Sequence, residues 1–244
     1  MDKSSVKREP LGNGFYVNVS HHHAFGTDAI LLASFAAAKK SDKLLDIGTG
    51  CGIIPLIMLR NGDLKFAVGV DISEEACCLA EQTRQELDLT KFTVINSDIN
   101  DLKGKTDFGG YTLVTCNPPY KAPGAGIKNP DSVEAVARHE VACTLEDIIS
   151  VSSKLLQTSG RLCMCQRPER LAEMMSLMRA YKLEPKKLRL VCQRKGEEPW
   201  LVLVEAKKCA NTGLRISPTL YVEENGDLSN EMIEIYGSYK EAYL

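Results

Sequence analysis

The sequence holds no apolar run near the ~20 residues that a membrane-spanning helix needs. Its first ten residues, Met1 to Pro10, are polar and charged and lack the apolar stretch of a secretory signal. Nine cysteines are present, yet none forms a Cys-x-x-Cys pair, and their spacings do not suit zinc. Cys163 and Cys165 stand two apart, which on a strand points both to one face. Reduced, mostly buried thiols in a cytoplasm are the simplest expectation, with no metal and no membrane. At His21-His22-His23 a loop is favoured over a purification tag or a histidine metal site. A tag is longer and terminal, and adjacent side chains diverge on any regular backbone, so a loop is expected there.

What remains is an ordinary globular composition, 244 residues with 44% apolar and 25% charged, enough for one large domain. Net charge is only −2 but unevenly placed. Residues 151–210 carry 13 Lys and Arg against 6 Asp and Glu, a local +7, while the tail from Asn211 carries 2 against 6. Such an asymmetry suits a polyanion lying on one part of the molecule, and a solvated basic surface would look the same.

Residues 1–12 read as a loose arm, and Gly14 to Val19, aromatic and β-branched, as a short strand. Thr27 is placed to cap a helix over Ala29 to Ala38, and Asp28 suits its positive end. Lys43 to Ile47 is a short buried strand. Asp46-Ile47-Gly48-Thr49-Gly50-Cys51-Gly52 follows, then a helix from Ile53 to Asn61. Glycines there let the chain turn tightly and let a ligand approach the backbone. The dinucleotide fingerprint G-x-G-x-x-G is missing, because Ile53 holds its sixth position.

Phe66 to Asp71 is a second buried strand and ends in an acid 25 residues after Asp46. A carboxylate there can accept from both hydroxyls of a ribose. A helix over Ser73 to Leu87 leads to a third strand, Phe92 to Ile95, with Asp98 just beyond, able to accept from an adenine amino group. Helix capping would explain any one of these acids. It does not explain three successive strand ends that carry an acid on the same sheet edge. Tyr111 to Val114 is the fourth strand, cut off by Asn117-Pro118-Pro119-Tyr120, since proline cannot continue a ladder. That turn leaves an amide and an aromatic ring at the edge where open parallel sheets bind ligands.

Lys121 to Val133 is Gly/Pro-rich and reads as a loop over the site. Arg138-His139-Glu140 reads as a helix-surface or positioning element. Leu145 to Leu156 has helical periodicity, closed by Ser159-Gly160. Arg161 to Gln166 is the fifth strand. Pro168 opens a helix to about Tyr181. Lys186 to Gln193 and Trp200 to Ala206 are two further strands whose short connection makes them antiparallel. Ser229 to Gly237 forms a last helix. The fold class is α/β: a three-layer α/β/α, Rossmann-like sandwich on a seven-stranded, mostly parallel sheet with an antiparallel C-terminal pair. It divides into an N-terminal arm (1–42), a catalytic domain (43–210) and an acidic tail (211–244).

The order of elements, the glycine turn and Asn-Pro-Pro-Tyr, 65 residues after Gly52, resemble the class I S-adenosylmethionine-dependent methyltransferases over almost the whole chain. The turn resembles that of members that methylate a planar amino or amide nitrogen. The resemblance implies S-adenosylmethionine as cofactor, held by Asp46, Ile47, Gly48, Thr49, Gly50, Cys51, Gly52, Asp71, Ile72, Asp98, Ile99 and Asn117. It implies that Asn117, Pro118, Pro119 and Tyr120 do the chemistry. The oxygens of Asn117 and Pro118 would hold the two hydrogens of the amino group. The double proline would fix where its carbonyl points, and Tyr120 would stack on the base. With Phe25-Gly26-Thr27-Asp28-Ala29 and Ala137-Arg138-His139-Glu140, the chain is most similar to the bacterial tRNA adenine-N6 methyltransferases, which act beside the anticodon of a valine tRNA. In that family Thr27 and Asp28 lie near the methionine end of the cofactor. A monomer acting on RNA, foremost tRNA, is expected.

Three other readings stay open. Release-factor glutamine methyltransferases share the turn but carry a helical domain ahead of the glycine strand, for which the 42 residues before Lys43 are too few. Guanine-N2 rRNA methyltransferases use a similar turn. An RNA-binding domain that keeps the fold without catalysis is the third.

Overall fold

The structure is a computed structural model that describes residues 6–62, 64–118, 143–237 and 239. Pro119, Tyr120, the stretch 121–133 and Arg138, His139 and Glu140 lie outside the described residues.

The chain opens with β1 (Lys7–Gly12) and β2 (Phe15–Val19), an antiparallel hairpin. The loose arm expected over residues 1–12 is therefore a strand from Lys7 onward. Its charged residues concealed Leu11, which packs into the same core as Val17 and Val19. Helix α1 (Thr27–Ala36) starts one residue earlier than a Thr27 cap would place it. Gly26 holds the N-cap position and no side chain caps it. Thr27 is already helical, and its hydroxyl meets the Tyr236 hydroxyl at 3.2 Å.

Four strands and three helices follow: β3 (Lys43–Ile47) and α2 (Ile53–Arg60), β4 (Phe66–Asp71) and α3 (Glu74–Glu86), then β5 (Phe92–Asn96), β6 (Tyr111–Cys116) and α4 (Leu145–Leu155). Then β7 (Leu156–Gln166) leads through a 3-10 turn, Pro168–Arg170, into α5 (Leu171–Ala180). Strands β8 (Leu183–Cys192) and β9 (Pro199–Lys208) follow. Ser159-Gly160 does not close a helix. It lies inside β7, with Ser159 at a φ of 64° and a register shift between Tyr111 and Leu113 on the neighbouring strand. A Ser-Gly pair serves a bulge as readily as a turn.

The tail adds β10 (Arg215–Ile216), β11 (Leu220–Tyr221), a small β12–β13 hairpin (Glu223–Glu224 and Asp227–Leu228) and α6 (Asn230–Tyr236). The main sheet runs β10-β8-β9-β7-β6-β3-β4-β5, with β11 also on β8. Among the described residues it has nine strands where seven were expected, because two short pieces of the tail pair parallel with β8. Two-residue strands carry no periodic pattern to read.

Strand β9 is antiparallel to both neighbours, and β7, β6, β3, β4 and β5 are mutually parallel. Alternate residues feed two cores, as a pleated strand requires. On β9, Leu201 and Leu203 join α1 and α2, while Val202 and Val204 join α4 and α5. The chain returns from the β5 edge to β6 on the far side of β3. That reversal opens a crevice at the carboxyl ends of the strands.

Candidate active site

Strand register lines up the functional residues. Ile47 pairs with Val70 on one side and Cys116 on the other, and Asp71 pairs with Asn96. The residues just after these partners therefore share one edge. A cavity of about 750 Å³ opens there. Ile47, Gly48, Asp71, Ile72, Asp98, Ile99, Asn117 and Pro118 line it, and so do His23, from the segment ahead of α1, and Asp28, in the first turn of α1.

The glycine turn is fastened to β4. The N–H groups of Gly48 and Thr49 both donate to the Val70 carbonyl, at 2.9 and 3.0 Å. Gly48, Gly50 and Gly52 have φ of +67°, +56° and +86°, which favours glycine at each. A fourth glycine that sequence reasoning passed over is as tightly required. A Cβ on Gly69 would stand 2.8 Å from the Thr49 side chain. The signal was a glycine inside a buried strand, which marks a close approach.

Asp71 holds the turn from the other side. Its Oδ2 accepts from the Gly50 N–H at 2.8 Å and its Oδ1 from the Ser73 N–H at 2.9 Å. Ser73 itself caps α3. A carboxylate offers about four acceptor sites, so two remain for ribose hydroxyls. Ile72, 45% exposed at the cavity wall, gives an apolar face beside that carboxylate. Asp98 caps its own turn through the Asn100 N–H at 2.8 Å, and buried Ile99 forms the floor next to it.

Other residues implied by the resemblance stand behind the wall. Thr27, Asp46, Thr49, Gly50, Cys51 and Gly52 do not line the cavity. Asp46 is 1% exposed and ties β3 to β6, its Oδ1 accepting from the Thr115 hydroxyl at 2.6 Å. Its Oδ2 and the Thr49 hydroxyl are both buried, and the Thr49 side chain, with that of Thr115, favours the charged carboxylate. Burial pushes the Asp46 carboxyl up to about 7, with the Thr115 hydrogen bond opposing the rise and the Asp71 charge adding to it.

Asn117 ends β6 with its Oδ1 3.0 Å from the Cys165 thiol, which donates to it. Sequence reasoning placed Cys165 in the core and did not foresee this contact, which follows from cross-strand register. His23 was read as loop. Its ring nitrogen meets the Ser73 hydroxyl at 3.1 Å on the cavity rim. Among the described residues no cluster of His, Cys, Asp or Glu is arranged to hold a metal. All nine cysteines are free thiols. Cys143, at the cavity, is pushed up to about 12 by burial and by the Asp147 and Asp98 charges. Burial likewise raises Cys116 well above the ordinary range. Neither supplies a thiolate nucleophile at neutral pH.

The basic segment is partly neutralised within the fold. Arg161 bridges Asp42 and Glu205 at 2.8 and 2.9 Å, Arg189 pairs with Glu231, and Arg194 with Glu223. Arg170 and Arg179 pair with Glu173 and Glu184. The local +7 is thus less open than its composition implied.

A glycine turn clamped by an acid, beside an apolar residue and a second acid at the switch point of a parallel sheet, defines an enzyme of the S-adenosylmethionine-dependent methyltransferase class. Comparison with known proteins agrees. Residues 20–182 match the family described as "Methyltransferase small domain", and the chain belongs to that family. A protein of Parabacteroides distasonis named tRNA1(Val) (adenine(37)-N6)-methyltransferase is 27% identical over 207 residues, covering 82% of this chain and 86% of its own. Relatives from other bacteria bear the same name. A predicted O-methyltransferase from Agrobacterium tumefaciens superposes with a TM-score of 0.67 at 21% identity, covering 87% of this chain and 96% of that one. A geranyl diphosphate C-methyltransferase from Streptomyces coelicolor, solved with S-adenosyl-L-homocysteine, gives 0.55 at 16% identity over 75% and 80%. Among the described residues no helix is long and apolar enough to cross a membrane.

Proposed function

We propose that this methyltransferase transfers the methyl group of S-adenosylmethionine to the N6 amino group of an adenine in tRNA, beside the anticodon of a valine tRNA, in the cytoplasm. The observation that carries this reading is Asn117. Its amide oxygen stands at the end of β6, on the rim of the cavity that Asp71 and Asp98 line. The relatives' shared name supports the choice of adenine and tRNA.

The cavity fits the cofactor. Asp71 keeps acceptor sites for ribose hydroxyls, Ile72 and Ile99 offer apolar faces, and Gly48 brings bare backbone to the wall. Bound there, S-adenosylmethionine supplies an electrophilic methyl group. Chain residues do the rest. An adenine amino group is a weak nucleophile because its lone pair is delocalised into the ring. Asn117 Oδ1 and the Pro118 carbonyl accept its two hydrogens and draw the nitrogen out of the ring plane, freeing the lone pair. No strong base is required, since the proton leaves after transfer. The protonated state of Cys143 and Cys116 supports direct transfer without a cysteine adduct. Holding the reacting atoms in line supplies most of the acceleration. A stacked target base is first flipped out, and an aromatic residue of the type that the sequence carries at Tyr120 would be worth roughly 1–3 kcal/mol as a stacking partner.

The test incubates the purified protein with radiolabelled S-adenosylmethionine and total tRNA, then digests the RNA to nucleosides. Label in N6-methyladenosine is the expected result. Label in a methylguanosine, or none in RNA while RNA still binds, would overturn the reading.

A further inference from the structure

Asn117 and Pro118 account for an amino group but not for the buried donor beside them. Gln166 ends β7 and is 1% exposed, yet it lines the same cavity. Its Oε1 accepts from the Arg167 N–H at 2.9 Å. That contact fixes which way the amide faces, because an N–H requires an acceptor. The Nε2 is then the free end, and it is buried with no hydrogen-bond partner. Leaving a buried amide donor unsatisfied destabilises a fold. Such a group in a cavity wall marks a place where a ligand completes the bonding.

The register says what it would meet. Cys116 pairs with Met164. One residue on, Asn117 stands opposite Cys165, in keeping with their 3.0 Å contact, and Pro118 comes opposite Gln166. Neighbouring strands lie ~4.8 Å apart. The cofactor acids sit on β4 and β5, on the far side of β3, so Gln166 is on the side away from them. The edge therefore presents an acceptor at Asn117, an acceptor at the Pro118 carbonyl and then a donor at Gln166. An adenine edge carries the complement: an amino group with two hydrogens and, flanking it, a ring nitrogen with a lone pair.

We infer that Gln166 Nε2 donates a hydrogen bond to the ring nitrogen next to the methylated amino group, and so fixes which base enters and how it lies. This rests on the proposed adenine-N6 activity. A base with a hydrogen on that nitrogen is turned away because donor would meet donor, and one with a methyl group because it has no lone pair there to accept. Sites built around a buried hydrogen bond reject analogues that lack the partner far more strongly than apolar pockets do.

The test uses tRNA ligated from synthetic halves, with adenosine, 1-deazaadenosine or 7-deazaadenosine at the methylated position. These are assayed with the wild type and with Gln166→Met, which keeps length and removes the donor. On adenosine, Gln166→Met is expected to lower kcat/KM by about 10–100-fold, with cofactor affinity by calorimetry unchanged. For the wild type, one of the two deaza substitutions lowers kcat/KM by a similar factor and identifies the nitrogen. In Gln166→Met the same substitution has no further effect. Wild-type rates equal on all three RNAs would overturn the inference without recourse to any variant. So would a Gln166→Met enzyme that keeps full activity, or deaza and variant effects that multiply. Weaker cofactor binding would show that Gln166 serves the other half of the site. A wild type that fails on adenosine itself refutes the proposed function instead.

Discussion

The two halves of the cavity are built on different principles. Over β3, β4 and β5 the wall is backbone, held by the Val70 carbonyl and by the Asp71 carboxylate. Gly48 and Thr49 hang from the Val70 carbonyl, and Asp71 grips the Gly50 and Ser73 N–H groups. Over β6 and β7 the wall is made of side-chain amides, one held by a thiol and one by a backbone N–H. Asn117 leans on the Cys165 thiol, and Gln166 keeps a donor unpaired. The first half is fixed before anything binds. The second keeps a donor open, which suits the proposed division between an invariant cofactor and a selected base.

Breaking the first half should have the largest effect. Asp71→Ala removes the clamp on Gly50 together with the proposed ribose acceptor. Cofactor affinity is expected to fall about 100-fold by calorimetry, from the loss of charged hydrogen bonds worth roughly 1.5–3 kcal/mol each. Retained affinity would show that the turn holds itself. Gly69→Ala drives a methyl group against Thr49 without touching the cavity. It should cost roughly 1–3 kcal/mol in a denaturant titration, and Thr49→Ala in the same chain should recover part of that. If the second substitution recovers nothing, the contact is not the cause.

A smaller effect, with a definite sign, belongs to Asp46. Its carboxyl is raised to about 7 in the folded protein, against about 4 in an unfolded chain. Between those values the folded state keeps a proton that the unfolded chain has lost. Stability therefore falls as pH rises from about 4 to about 7 and is level above that. Asp46→Asn keeps the acceptor for Thr115 and removes the slope. Its melting temperature should gain on the wild type between pH 5 and 8, by roughly 2 kcal/mol in stability. Parallel curves would place the proton elsewhere.

The contrast also explains what was legible in the sequence. Alternating apolar strands, the glycine turn and the acids at strand ends are local patterns, and they gave the parallel sheet, its antiparallel pair and the edge where the cavity lies. Features that depend on a neighbouring strand were hidden. Cys165 and Gln166 read as the end of an apolar strand until β7 is set beside β6. Gly69 acquires meaning only when Thr49 is laid over it. Thr27 carries the residue type of a cap, yet the helix begins at Thr27 itself and its hydroxyl meets Tyr236, 209 residues away. Strand β1 and the short tail strands were missed because charge or brevity leaves no period to count.

The division between a cofactor half and a base half is tested most directly by Asn117→Ala, measuring cofactor affinity by calorimetry and N6-methyladenosine formation on the same preparation. The account predicts affinity within about threefold of wild type and transfer reduced at least about 1,000-fold, the mark of an interaction made with the reacting group alone. Loss of cofactor binding, or transfer that persists, would contradict it.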